Sequence, residues 1–185
     1  MKTVYLDTNT LLSPFHAGDP YQSEAASILA YLKMIKVISH IGLVELSSTI
    51  SRLRARRELQ LPEEVEAALS SLELSKQAYS ILLFILKHSG VTVLVPNALI
   101  RLHLNGFEIR MSSMFVEALN LAPKATLRTL DNLHIASLIG LLKERHTISY
   151  LITGDGELLN ARTRITNATG IPVVSPQDLI KLEPL

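Results

Sequence analysis

Met1-Lys2-Thr3-Val4-Tyr5-Leu6-Asp7-Thr8-Asn9 opens the chain with a short apolar strand, Thr3–Leu6, that runs directly into a carboxylate. A second stretch, Tyr150-Leu151-Ile152-Thr153-Gly154-Asp155, repeats the arrangement near the other end, with a strand at Tyr150–Thr153. Short β-branched runs of this kind recur at Lys36–Ser39, Val91–Val95 and Pro172–Val174, separated by longer segments with helical spacing. Strands alternating with helices predict an α/β fold around a mainly parallel sheet of about five strands.

The helical segments have readable ends. Asp19-Pro20 reads as an N-cap followed by proline, opening a helix to about Met34. Leu43, Leu46, Ile50 and Leu53 give the segment from about Ile41 to Arg57 an apolar stripe. Pro62-Glu63-Glu64 starts a third helix with acids at the positive end of its dipole. Ser75 reads as the cap of a fourth, with Gly90 just past its end. A further helical stretch is expected from about Asn97 to Leu121, with Gly106 as a point of interruption, then helices at Asp131 to about Lys143 and Glu157–Arg162. The chain reads as a single domain, 1–185, with a helix-rich elaboration around 61–128.

Composition narrows the function classes. In 185 residues, 48% are hydrophobic and 19% charged, so the chain has the material for a core and lacks the signature of disorder. A net charge of +1 means that any nucleic-acid surface must be local. The absence of cysteine excludes disulfides, thiolate metal sites and a cysteine nucleophile. The charge at Asp7 comes too early for a signal peptide, and the most apolar run, Ile81–Leu86, is far short of the ~20 residues that cross a bilayer. A cytoplasmic protein with no membrane partner is the expectation.

Parallel topology carries four acids to one rim. Asp7 and Asp155 each follow a strand, at the carboxyl edge where open α/β sheets place their sites. Glu45 lies about one turn into the helix that follows the second strand, and Asp131 opens the helix that must end where the fourth strand begins. Taken singly each has an ordinary reading: Asp7 ends a strand, Asp131 is an N-cap, Asp155 sits in a turn and Glu45 faces solvent. Together, clustered carboxylates repel and raise one another's pKa, so the group calls for a cation. Oxygen ligands select hard ions such as Mg²⁺ or Mn²⁺, which serve phosphoryl chemistry.

These motifs resemble the PIN-domain nucleases. Val4-Tyr5-Leu6-Asp7-Thr8-Asn9 is similar to the family's opening strand, Val44-Glu45-Leu46 to its helical glutamate, Leu130-Asp131-Asn132-Leu133-His134-Ile135-Ala136 to its third motif and Leu151-Ile152-Thr153-Gly154-Asp155 to its fourth. The resemblance implies a PIN-like three-layer α/β/α fold and an Mg²⁺- or Mn²⁺-dependent endoribonuclease. Many members are VapC-like toxins with an antitoxin partner, often homodimeric. It further implies Asp7, Glu45, Asp131 and Asp155 as catalytic metal ligands, with Asn9 and Thr153 orienting acids or water and Glu157 in support. Two departures stand out. The chain is longer than a compact toxin between Glu45 and Asp131, and His134 occupies a usually small, apolar motif; within one turn of Asp131 it could line the site, but the ordinary reading is a packed or solvated histidine. An RNA-processing nuclease that is not a toxin, or an RNA-binding relative without catalysis, would carry similar motifs.

For RNA contacts, Arg162 and Arg164 follow Asp155 closely. Arg52, Arg54, Arg56 and Arg57 crowd the end of the Glu45 helix, either as cations suited to a helix C-terminus or as a phosphate-binding patch. At 1.5 Å per residue this patch lies roughly 10–18 Å beyond Glu45, suiting it to flanking RNA. Rival phosphate chemistries fit less well. A receiver domain would need an aspartate where Val95-Pro96-Asn97 stands, a haloacid-dehalogenase-type phosphatase a second aspartate at Asn9, and phosphate-loop glycine patterns are missing.

Overall fold

The computed structural model describes residues 1–184 and, of Leu104, the backbone. In chain order its elements are β1 (Lys2–Leu6), α1 (Thr8–Leu12), α2 (Gln22–Ala30), β2 (Met34–Ser39), α3 (His40–Arg56), α4 (Glu63–Leu69), α5 (Leu74–Ser89), β3 (Val91–Leu94), β4 (Leu99–Leu104), β5 (Phe107–Ser112), α6 (Ser113–Ala125), α7 (Thr129–Lys143), β6 (Tyr150–Ile152), α8 (Gly156–Asn160), α9 (Arg162–Thr169), β7 (Val173–Val174) and α10 (Pro176–Leu182). The fold is α/β: β3-β2-β1-β6-β7 form one sheet, parallel at every pairing, with helices on both faces.

The period-two alternation of a strand explains the layering. Val4 and Leu6 of β1, Ile38 of β2, Ile152 of β6 and Val174 of β7 point into one core, shared with Leu46 and Ile50 of α3 and Ile81 and Ile85 of α5. Tyr5, Val37, Leu151 and Val173 point into the other, shared with Ile135, Leu138 and Leu141 of α7 and Ile165 of α9. Because β1 is central and the chain winds away from it in both directions, the crevice at its carboxyl end is a topological switch point.

The expected strands all form, each within a residue or two of its reading. The helical reading of Asn97 to Leu121 is corrected: Leu99–Leu104 and Phe107–Ser112 pair antiparallel as a hairpin, and only Ser113 onward is helical. Asn105 and Gly106 both take positive φ, 45° and 89°, which is what a two-residue hairpin turn demands and a helix forbids. The segment 61–128 is thus only partly helical; it supplies the sheet-edge strand β3 and the hairpin as well as α4, α5 and α6.

Smaller corrections have local causes. Asp19 does not cap a helix running to Met34; its Oδ1 accepts from Tyr21 N–H and the Ser13 hydroxyl, and α2 spans only Gln22–Ala30. The buried Lys36 ammonium donates to the Leu29 and Tyr31 carbonyls, closing the end of that helix. Glu73, not Ser75, stands at the N-cap of α5, while Gly90 ends it in the left-handed conformation as expected.

Candidate active site

The rim is built outward from β1. Asp7 takes extended backbone angles at the N-cap of α1, and its N–H donates to the Ile152 carbonyl at 3.0 Å, carrying the β1–β6 ladder to the edge. Its carboxylate is buried, 6% exposed, and meets only neutral donors: Oδ1 accepts from Thr8 N–H at 2.8 Å and Oδ2 from the Thr153 hydroxyl at 2.7 Å. Thr153 Oγ1 in turn accepts the Asp155 N–H at 2.9 Å, so one fully buried hydroxyl links two of the acids. Asn9 Oδ1 accepts from Gly154 N–H at 3.0 Å and ties the two loops together.

Asp155 does serve as an N-cap. Its Oδ1 accepts from Glu157 N–H at 2.7 Å and Leu158 N–H at 3.1 Å. Asp131 does not: Arg128 holds the cap position of α7, and Asp131 is the third helical residue. Among the described residues its carboxylate has neither a hydrogen bond nor an ion pair, which leaves both oxygens open. Glu45, six residues into α3, is only partly exposed rather than on a solvated face, and its Oε2 lies 2.8 Å from His134 Nε2.

All four acids line one pocket of about 180 Å³, together with Thr8, Asn9 and Arg52. One ligand atom each from Asp7, Glu45 and His134 lie within 4.8 Å of one another. A larger cavity of about 510 Å³ opens elsewhere, between α6, α7 and α9. Its one acid, Glu117, is already paired with Lys143, so the unsatisfied chemistry lies in the smaller pocket.

The electrostatics record the crowding. Burial pushes the Asp7 carboxyl up, opposed in part by the His134 charge and the Thr153 hydrogen bond. Burial, then the charges of Asp155 and Asp7, raise Asp131 from 3.8 to about 6. Glu45 is also lifted by burial, but hydrogen bonds from His134 and Thr8 outweigh this and hold it below the usual range. His134 moves the opposite way: burial lowers it, and the Glu45 hydrogen bond with the surrounding acids raises it overall. Two carboxyls held uncomfortably, with no cation paired to Asp7, Asp131 or Asp155 among the described residues, fit a divalent ion, and the oxygen-rich donor set fits a hard one.

Other expected residues fall differently. Arg52 reaches the acid pocket directly, because it stands seven residues, about two turns, beyond Glu45 on the same helix face. Arg54 is engaged with Glu66 at 2.6 Å and with Gln77, a structural role. Arg162 and Arg164 are not among the residues lining the acid pocket; they line separate depressions along α9, and Arg164 donates to the Thr126 hydroxyl at 2.8 Å. Glu157 is ion-paired with Arg128. His134, read as packed or solvated, is packed, yet it touches the site. Its place three residues after Asp131, one turn along the same helix face, is the sequence feature that allows it to line the site.

No protein-family model and no curated protein matches the sequence. Among solved structures, the chain is similar to one in the crystal structure of VapBC2 from Rickettsia felis bound to a DNA fragment from their promoter. The two share 15% identity over 94% of this chain and 98% of that one, with a TM-score of 0.54. At that identity the likeness establishes the fold, an α/β architecture with a five-stranded parallel sheet flanked by helices, consistent with the PIN-like expectation. Among the described residues, no helix is long and apolar enough to cross a membrane.

Proposed function

We propose that this chain is a metal-dependent endoribonuclease of the PIN type, hydrolysing RNA phosphodiester bonds with Mg²⁺ or Mn²⁺ held by Asp7, Glu45, Asp131 and Asp155. The observation that carries it is the convergence of four acids from four separate segments on one pocket at the sheet's switch point. When bound, the ion would activate water and offset charge on the leaving oxygen. The chain's own residues do the rest. Thr153 and the Thr8 N–H hold Asp7 in one orientation, and Asn9 clamps the loop that carries Asp155. Arg52 offers a guanidinium beside the acids for a substrate phosphate. Arg162 and Arg164, farther along the surface, are assigned to flanking phosphates, and Glu157 to holding Arg128 at the rim.

Likeness to a chain of the VapBC2 complex supports a toxin role with an antitoxin partner. A homodimer remains the expected assembly, and Phe115 and Leu119, exposed one turn apart on α6, supply apolar surface for it. A cytoplasmic location follows from that role.

The test is incubation of purified protein with labelled RNA, with and without Mg²⁺ or Mn²⁺, beside Asp7→Asn and Asp131→Asn variants. Cleavage should require metal and disappear in both variants while the fold survives. Unchanged cutting by the variants refutes the site. Binding without cutting, with Mn²⁺ supplied, would identify a non-catalytic RNA-binding protein of this fold. Growth arrest relieved by a neighbouring gene product would separate toxin from RNA-processing nuclease.

A further inference from the structure

Glu45 and Asp131 stand on helices that cover opposite faces of the sheet. The stripe of α3 packs into the core shared with Val4 and Leu6, and that of α7 into the core shared with Tyr5 and Leu151. At the rim they meet: Ile41 of α3 and Leu133 of α7 pack against one small cluster of Met114, Ala118 and Ala136. Among the described residues one hydrogen bond joins them, His134 Nε2 to Glu45 Oε2 at 2.8 Å. His134 is 3% exposed, and its Nδ1 is buried with no hydrogen-bond partner among the described residues, so the Glu45 contact is its one side-chain hydrogen bond. Gly42, one turn before Glu45, lies against the ring: a Cβ there would sit 3.4 Å from the imidazole Cε1, about van der Waals contact. Asp131 lies one turn before His134, on the same face of α7.

We propose that His134 is a positioning residue. It donates Nε2–H to Glu45 Oε2 across the rim and so holds the α3 carboxylate in register with Asp131. This rests on the metal-site reading above and adds to it a residue outside the acid set. The hydrogen bond uses one Glu45 oxygen, Oε2, while the carboxylate still lines the pocket. Without it, Glu45 would be a half-buried carboxylate with the Thr8 hydrogen bond alone to fix its rotamer. Partners that orient a ligand in this way are commonly worth 10–100-fold in metal affinity.

The experiment measures Mn²⁺ affinity by the loss of the free-ion electron paramagnetic resonance signal. It uses wild type, His134→Gln, His134→Leu, Glu45→Ala and the Glu45→Ala/His134→Leu double variant. Gln keeps an N–H donor at similar reach, whereas Leu keeps volume alone. Leu should weaken Mn²⁺ binding roughly 10-fold or more. Gln should recover most of that loss, and Leu should add nothing once Glu45 is gone. Equal losses in Gln and Leu, a Leu effect that persists in the Glu45→Ala background, or no Leu effect would each overturn the proposal while leaving the metal site standing. Nitrogen hyperfine coupling in the bound Mn²⁺ spectrum would overturn it too, by making His134 a ligand. Should the Leu variant fail to fold, the Gln variant still decides: Mn²⁺ binding within about threefold of wild type supports the donor role, and a loss of about 10-fold refutes it. A wild type that takes up no Mn²⁺ overturns the metal reading itself.

Discussion

Asp131→Asn should make the metal-free protein more stable and the metal-loaded protein less so. The carboxyl sits at about 6 in the fold against 3.8 unperturbed, for reasons of burial and the neighbouring charges of Asp155 and Asp7. A folded-state pKa above the unfolded one means that the fold binds the proton more tightly. The associated stability is fully present below pH 3.8 and is lost as pH rises through about 6. The full shift corresponds to about 3 kcal/mol. The side chain is only partly buried, and solvent screening cuts this to about 1.5 kcal/mol. Asparagine also forfeits a favourable charge in the first turn of α7, about 0.5 kcal/mol. The net gain at pH 7 is therefore about 1 kcal/mol, roughly 2–4 °C in Tm for a chain of this size. Differential scanning fluorimetry in chelator from pH 4 to 7 reads it directly: the two proteins should melt together at low pH and diverge as wild type deprotonates. Adding Mn²⁺ at about 100-fold above its Kd should then raise wild type by the equivalent of about 2.7 kcal/mol and reverse the order. A variant less stable than wild type in chelator at pH 7, or a gap that does not widen with pH, would refute the picture of Asp131 as a crowded charge awaiting a cation.

Three further outcomes follow from particular contacts. Thr153→Val removes the hydroxyl shared by Asp7 and Asp155 and strands a buried acceptor, so stability should fall by about 1–3 kcal/mol in urea melts, with weaker Mn²⁺ binding. Gly154→Ala would place a methyl 2.9 Å from the Tyr21 ring, beside Asn9; a loss of about 1–3 kcal/mol is expected, and Tyr21→Ala in the same chain should recover much of it. Arg52→Ala, on an exposed side chain, should leave Tm unchanged but lower RNA affinity and reduce the salt slope by about 0.7 for short and long RNA alike, whereas Arg164→Ala should affect only long RNA.

The strands and the gathering of Asp7, Glu45, Asp131 and Asp155 were legible in the sequence because both depend on local pattern and on parallel topology. Apolar β-branched runs mark strands, and a parallel sheet brings every strand end and every following helix start to one edge. The hairpin is legible in principle through Asn105-Gly106, a two-residue turn signal, whereas the reading of Asn97 to Leu121 as a helix treats Gly106 as an interruption rather than a turn. What tertiary structure alone decided was rotation and contact. Asp131 was expected at the cap of its helix and proved to be its third residue, a matter of where Thr129 begins to wind. Arg164 follows Asp155 closely in sequence but is carried away from the pocket by α9, while Arg52 is brought to it by α3. The contact between His134 and Glu45 joins residues 89 apart, on helices from opposite layers. Periodicity gives each helix a buried face, but the angle at which two such faces meet over a sheet edge is settled by side-chain packing, which no local stretch of sequence contains.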